Sequence, residues 1–212
     1  NHMQSTNVGF DKDQVLVVNN SGLPHETRKS LKNEIEQLTE VKSASFAGFL
    51  PVSSSSRSDT TFSTETVMTE SNGFNMQYWR VDYDYLNTIG MEMKQGRNFS
   101  REFGSDSLAI IINETAAKLT SFQNPIGKKI YRSDQEKNTI AYTIIGVVKN
   151  FNYESLRDNV GALSLTLGNN SWETAYRFNT TNVSGLISTI ENKYKTAAPG
   201  KPFNYKFLDE AF

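Results

Sequence analysis

Histidine and cysteine, the side chains most often used for nucleophilic and zinc chemistry, are almost absent from this chain. It has no cysteine and two histidines, His2 and His25. A Ser-His-Asp or Cys-His site needs a histidine beside its nucleophile, and a zinc site needs several converging His, Cys or acidic ligands. His25 lies in the first turn of a polar predicted helix, where we expect a surface residue. The sequence therefore argues against a catalytic histidine and against a zinc site.

Carboxylates are the remaining candidates for acid-base chemistry or calcium binding. Asp11 with Asp13, and Asp82 with Asp84, have the i, i+2 spacing of calcium loops, but neither pair has the central glycine and terminal glutamate of an EF-hand. Paired carboxylates also serve glycosidases, and aromatic residues near the second pair could form a sugar platform: Trp79, Tyr83 and Tyr85. We favour the plainer interpretation, in which the acids cap or frame local structure and the aromatic residues belong to a half-buried sheet.

Phosphate-binding glycine motifs are missing, since the chain has no G-x-G-x-x-G and no G-x-x-x-x-G-K-[ST]. We therefore expect no cofactor and no metal, and we predict that the chain is not an enzyme. One arginine is distinctive, Arg97 after Gly96. It could contact a neighbouring domain or subunit specifically, or it could lie in a β-turn and form a local salt bridge, which is the interpretation we favour.

The composition is that of a globular protein without a nucleic-acid surface. Of the 212 residues 37% are hydrophobic and 11% aromatic, and the net charge is −1, with no basic cluster. No apolar stretch approaches the ~20 residues of a membrane-spanning helix, and no signal peptide is visible. Residues 1–3 resemble a cloning remnant. We expect the chain to be a piece of a larger protein.

The apolar periodicity predicts an α+β fold. The predicted strands are residues 14–18, 41–50, 60–70, 74–82, 108–112, 140–148, 162–167, 174–179 and a last strand through Phe207. Predicted helices cover 25–39, 84–89, 114–122 and a segment from Asn182 to before Pro199, with Asn113 and Asn182 as caps. Ser71-Asn72-Gly73 predicts a hairpin turn, and residues 162–167 are predicted to be half-buried beside 174–179.

The first and last thirds of the chain both read as β-α-β units that could share one sheet, in a ferredoxin-like split arrangement. The predicted subdomains are residues 1–56 with 158–212, and an inserted segment, 57–157. The polar stretch 52–59 is predicted to be a loop or a junction between them. Deleting the small residues 53–56 should leave folding intact but alter function.

Several segments in a fixed order resemble the MacB-like periplasmic core domain of bacterial ABC transporter permeases. They are Tyr85-Leu-Asn-Thr-Ile-Gly90, Gly96-Arg97, Ile112-Asn-Glu114 with Ala116-Ala117, Asn124-Pro-Ile-Gly127 and Ile145-Gly-Val-Val148. Each is weak alone, and their order and spacing carry the resemblance, which runs over nearly the whole chain. The two ends are similar to the domain borders of homologues from the Bacteroidetes, where transmembrane helices follow directly.

The resemblance implies a porter-like subdomain built from both ends of the chain and an inserted, smaller α/β subdomain called Sabre. It also implies a periplasmic domain of an inner-membrane permease that has no catalytic residues. The expected partners are the permease's transmembrane helices, its second copy, a cytoplasmic ATPase, and an adaptor, lipoprotein or peptide substrate. The domain would transmit motion driven by ATP hydrolysis to export or to lipoprotein or peptide handling.

Two other functions are compatible with the residues alone. A ligand-sensing extracytoplasmic domain of a signalling receptor should show an apolar pocket with a few convergent polar groups. A small hydrolase should show two acids close together in a cleft, with perturbed pKa values.

Overall fold

The computed structural model describes residues 13–50, 58–150 and 161–208. Eleven β-strands, four α-helices and one 3₁₀ helix occur in these ranges, which confirms the predicted α+β class. The strands are β1 Gln14–Asn19, β2 Val41–Phe46, β3 Asp59–Ser63, β4 Gly73–Val81, β5 Met93–Gly96, β6 Ala109–Asn113, β7 Lys129–Ser133, β8 Thr139–Val148, β9 Leu163–Leu167, β10 Glu173–Phe178 and β11 Tyr205–Phe207. The helices are α1 His25–Glu36, α2 Tyr85–Ile89, α3 Glu114–Thr120 and α4 Val183–Ala197, with the 3₁₀ helix at Gly104–Leu108.

The chain divides into two compact units. The first unit comprises residues 1–48, 87–89 and 170–212, and the second comprises residues 49–86 and 90–169. The predicted boundaries at 56/57 and 157/158 lie outside the described residues, as do residues 1–3 and the small-residue segment 53–56. The assignment of the units as porter-like and Sabre-like subdomains stays a prediction.

The first unit is a four-stranded antiparallel sheet in the order β11-β1-β10-β2. Helix α1 connects β1 to β2 and α4 connects β10 to β11, so two β-α-β halves interleave in one sheet, as the pattern of the first and last thirds predicts. The apolar stripes of both helices pack on this sheet. The shared core includes Leu31 and Ile35 of α1, Leu186 and Ile190 of α4, and Tyr176 of β10.

The second unit contains a seven-stranded sheet in the order β5-β8-β6-β9-β4-β3-β7, and β8 also pairs with β7. Six of the strands therefore form a closed ring. Strand β5 lies outside the ring and pairs with the C-terminal half of β8, and β7 pairs with the N-terminal half. Aliphatic and aromatic side chains of one face form a core with α3, including Phe62, Met76, Ile110 and Ile144. Asn113 ends β6 and caps α3 through a hydrogen bond from the Ala116 amide, 2.9 Å, as predicted.

One predicted strand pairing and one predicted burial are wrong. Residues 162–167 and 174–179 are not neighbours, because β9 pairs with β4 and β6 in the second unit, whereas β10 pairs with β1 and β2 in the first. Strand β9 is also more buried than half. Residues on both of its faces are buried, so polar Ser164 and Thr166 are as buried as Leu163 and Leu165. An alternating pattern cannot distinguish these cases when the alternating residues are small.

The predicted hairpin exists, but its turn is longer than expected. Strand β3 ends at Ser63, opposite Gly73, and the intervening residues 64–72 form an irregular loop. The Asn72 side chain organises this loop by accepting a hydrogen bond from the Thr69 amide and donating one to the Val67 carbonyl, at 2.8 and 2.9 Å. The Asn72 side chain therefore stabilises a longer loop, and Asn72 does not form the two-residue turn that the sequence predicts.

Candidate docking site around Arg97

Arg97 follows β5 and forms a two-pronged salt bridge with Asp106 in the 3₁₀ helix. Its Nη2 lies 2.7 Å from Asp106 Oδ1 and its Nη1 lies 3.0 Å from Oδ2. The Asp106 side chain is 1% exposed and that of Arg97 is 39% exposed. The Ser100 amide donates a further bond to Asp106 Oδ2, 2.8 Å. The hydrogen bonds from Arg97, together with the one from the Ser100 amide, hold the pKa of the Asp106 carboxyl below its usual range.

Two glycines determine where Arg97 lies. Gly96 has φ +74°, and a Cβ there would collide with the carbonyl of Ile145 on the neighbouring strand β8. Gly146, which pairs with Gly96, approaches so closely that a Cβ would lie 2.6 Å from the Arg97 carbonyl oxygen. The Arg97 amide in turn donates to the Ile145 carbonyl, 3.0 Å. Only glycine fits at both positions, because the backbone of the neighbouring strand occupies the space where a Cβ would lie.

The segments that carry the family resemblance prove to be packing elements of this region. The Gly127 amide donates to the Ile144 carbonyl at 2.8 Å, which joins the Asn124–Gly127 turn to β8. Tyr85 in α2 is fully buried and donates to the Phe49 carbonyl, 2.7 Å. Burial raises the pKa of this phenol, so it stays a neutral donor. These contacts fix the backbone of the two segments.

A cleft of about 470 Å³ in the second unit borders the Arg97 region. Three segments line it: the end of β4 and the turn after it (80–83), the end of β9 and the turn after it (167–169), and parts of the stretch from Arg101 to Ser107. Phe103 belongs to the third segment and is 46% exposed, and the Arg97 guanidinium lies 4.3 Å from the centre of its ring. The Arg97–Asp106 bridge therefore braces one wall of the cleft.

The charges of the cleft differ in how they are paired. Arg101 lies over the Tyr83 ring at 4.5 Å and forms an ion pair with Asp84 at 3.4 Å. Asp82, also in the lining, accepts a hydrogen bond from the Asp84 amide, which is the predicted turn-framing role. The Arg80 guanidinium lies across Gly168, where a Cβ would come within 2.9 Å of its Cζ. It has no ion-pair partner among the residues described for this chain.

The other predicted site residues are structural or solvent-exposed. His25 is exposed in the first turn of α1, as predicted, with Nδ1 3.1 Å from Ser171 Oγ. Trp79 is fully buried in β4, which fits a strand residue and not a sugar platform. In residues 13–50, 58–150 and 161–208, no three His, Cys, Asp or Glu side chains converge as a metal site would require.

Arg97 stands out in the sequence, whereas Asp106, Phe103 and Arg80 do not. Asp106 lies nine positions after Arg97 in a stretch rich in glycine and serine, so nothing in the pattern indicates that its carboxylate is buried. The only available signal was that an Asp with nearby Ser and Gly often folds back on its own loop. The role of Arg97 as an interface contact stays a prediction.

The family model described as "MacB-like periplasmic core domain" matches residues 1–196. The chain belongs to this family. It is thus an extracytoplasmic, periplasmic domain of an ABC-type transporter permease. No curated protein matches it. None of the helices in the described segments is long and apolar enough to cross a membrane.

Three solved structures share the fold of this MacB-like domain, each at 14% sequence identity. The periplasmic region of MacB from Actinobacillus actinomycetemcomitans has a TM-score of 0.62 and covers 96% of this chain and 93% of its own. A domain of a protein described as a permease, from Porphyromonas gingivalis, has a TM-score of 0.57 and coverages of 94% and 90%. The extracellular domain of the noncanonical ABC-type transporter YknZ from Gram-positive bacteria has a TM-score of 0.55, and the match covers 92% of this chain and 99% of that domain.

Proposed function

We propose that this MacB-like domain is a non-catalytic transmission and docking module. It passes movements of the permease's transmembrane helices, driven by cytoplasmic ATP hydrolysis, to a substrate or adaptor outside the membrane. Its partners are those helices, the second permease copy and the ATPase. The cargo would be an exported compound, a lipoprotein or a peptide.

The observation that carries this proposal is the position of β1 and β11. They are antiparallel neighbours, with Leu16 opposite Phe207, and the Leu208 amide donates to the Val15 carbonyl at 2.9 Å. The start of β1 and the end of β11 therefore lie side by side at one end of the sheet. Two membrane helices attached there would act on adjacent strands, so a shift of the helices would move the sheet as one body.

The packing of the first unit supports such rigid transmission. Strand β1 lies between β10 and β11, and residues 15–18 are all buried. Just beyond its far end, Asn20 donates to Thr174 Oγ1 at 2.8 Å and accepts from the Tyr194 hydroxyl at 3.1 Å. Tyr194 also bonds the Tyr176 hydroxyl, 3.1 Å. A buried network with its groups paired stabilises one arrangement, since any displacement leaves polar atoms unsatisfied.

Distance measurements on the full permease with its ATPase test the proposal. Because this domain has no cysteine, spin labels can be attached at Lys29→Cys alone, for distances between the two copies, or at Lys29→Cys with Thr196→Cys, for distances inside the first unit. Both residues are exposed. We expect the distance between copies to change by several ångström between the nucleotide-free and vanadate-trapped states, with the internal distance unchanged. A constant distance between copies, or an equal change inside the unit, would refute rigid transmission.

A further inference from the structure

We infer that the cleft bordered by Phe103 binds an acidic residue of a peptide chain, with Arg80 holding the carboxylate. This inference names the chemistry of a docking partner, so its role in transport rests on the proposed function. Binding itself can be measured on this chain alone. Failure of binding and failure of transmission are therefore separate results.

Arg80 is the group that would recognise the ligand. It lies at the end of β4, paired in register with Thr166, and its side chain is exposed. The guanidinium lies across the backbone of Gly168, because no Cβ is present there to displace it. Without an ion-pair partner in the described segments, its N–H donors are free for the planar, two-pronged contact that carboxylates form with arginine.

The charges that line the cleft favour a ligand with a single negative charge. Arg101 is already engaged with Asp84 and with the Tyr83 ring. Asp82 adds a negative charge to the lining. Arg80 is the cation of the lining without an ion-pair partner in the described segments, and Asp82 disfavours an anion of more than one charge beside it. A single carboxylate therefore fits better than a phosphate carrying up to two charges.

The rest of the cleft fits an apolar neighbour of that acidic residue. The half-exposed Phe103 ring is held beneath the Arg97 guanidinium, and Leu167 and Val81 contribute to the lining. The volume of about 470 Å³ lies within the range of roughly 300–1,000 Å³ that is usual for ligand pockets. An extended peptide segment supplies both parts, since an acidic side chain and an adjacent apolar one can reach Arg80 and Phe103 together.

Two matched peptide pools test this inference by NMR of arginine Nε–H signals. One pool has the form acetyl-Xaa-Glu-Xaa-amide, with Leu, Ile, Val, Phe or Tyr at Xaa, and the other has Gln in place of Glu. We expect the Glu pool at millimolar concentration to shift the Arg80 signal and the Gln pool to bind about tenfold more weakly, because one charge-assisted contact is lost. Arg80→Gln should abolish binding and Gly168→Ala should weaken it, whereas Lys128→Gln removes one exposed charge elsewhere and should leave binding unchanged.

Each of the following results would overturn the inference. Equal binding by both pools, or unchanged binding by Arg80→Gln with an intact amide spectrum, would remove the carboxylate contact. No shift of the Arg80 signal by any member of the Glu pool would remove the site. Equal binding of inorganic phosphate or of free 3-phenylpropionate would assign the cleft to small anions and not to a peptide chain.

Discussion

Replacing Arg97 with glutamine should destabilise the second unit, because it leaves the Asp106 carboxylate buried with one remaining partner, the Ser100 amide. Removing one partner of a fully buried ion pair costs about 3–5 kcal/mol. The Arg97 side chain is 39% exposed, so water can partly replace it, and we reduce the expected loss to about 2–3 kcal/mol. With a urea m-value near 2 kcal/mol/M, the unfolding midpoint should fall by about 1–1.5 M.

Trp79 fluorescence can follow this unfolding in a Trp172→Phe background. Trp79 is fully buried in the second unit, whereas Trp172, in the first unit, is 57% exposed and would report a different region. Arg101→Gln is the matched control, since its ion pair with Asp84 is solvent-exposed. We expect a loss below about 0.5–1 kcal/mol there. Equal midpoints for the two variants would refute the argument.

The pH dependence of the Arg97→Gln effect has a defined sign. The folded-state pKa of Asp106 is lowered, chiefly by its hydrogen bonds with Arg97. Its contribution to stability is therefore present above the carboxyl's ordinary pKa, near 4, and is lost as the pH falls through the lower folded-state value. The difference between wild type and Arg97→Gln should shrink in acid. A difference that grows below pH 4 would contradict this assignment.

Three further changes test the packing described above. Gly146→Ala should cost at least about 1–3 kcal/mol by forcing β5 and β8 apart, whereas Gly104→Ala, where a Cβ meets nothing within 4 Å, should be nearly neutral in the same urea titration. Asn113→Ala removes a helix cap and the hydrogen bond that Asn113 accepts from the Leu163 amide. It should lower the free energy of unfolding, followed by circular dichroism, by about 2–3 kcal/mol. The exposed cap variant Asn182→Ala should lower it by about 1 kcal/mol. Burial raises the pKa of Glu173. The stabilising effect of Glu173→Gln should therefore appear as the pH rises above the ordinary pKa of a glutamate carboxyl and disappear in acid. A loss of stability at neutral pH would show that its lysine partner outweighs burial.

Helix ends and helix faces were predictable because the residues that set them act on their own neighbours. Asn113 and Asn182 cap the helices that follow them, and Gly90 ends α2 with φ 90°. The apolar stripes of α1 and α4 in the sequence correctly predict which face of each helix is buried. In each case the physical cause lies within a few residues of its effect, so the sequence contains it.

Pairing between distant strands was not predictable in the same way. Strands β9 and β10 are close in sequence and both apolar, yet the chain changes unit between them, which no local pattern records. The partner of Arg97 was equally hidden. Several acids lie near Arg97 along the chain, and Asp106 is its partner because β5 and the 3₁₀ helix come together in the folded unit.

The placement of β1 also determines the order in which this protein can fold during synthesis. Asn20, just after β1, bonds Thr174 in β10, which is made 154 residues later. At about 5–20 residues per second, the first strand waits on the order of 10–30 s for its sheet partners. All strands of the second unit emerge during that interval, so this unit can be complete while β1 is still an unpaired apolar segment. A nascent chain therefore passes through a stage in which β1, which is buried in the folded sheet, has neither of its strand partners.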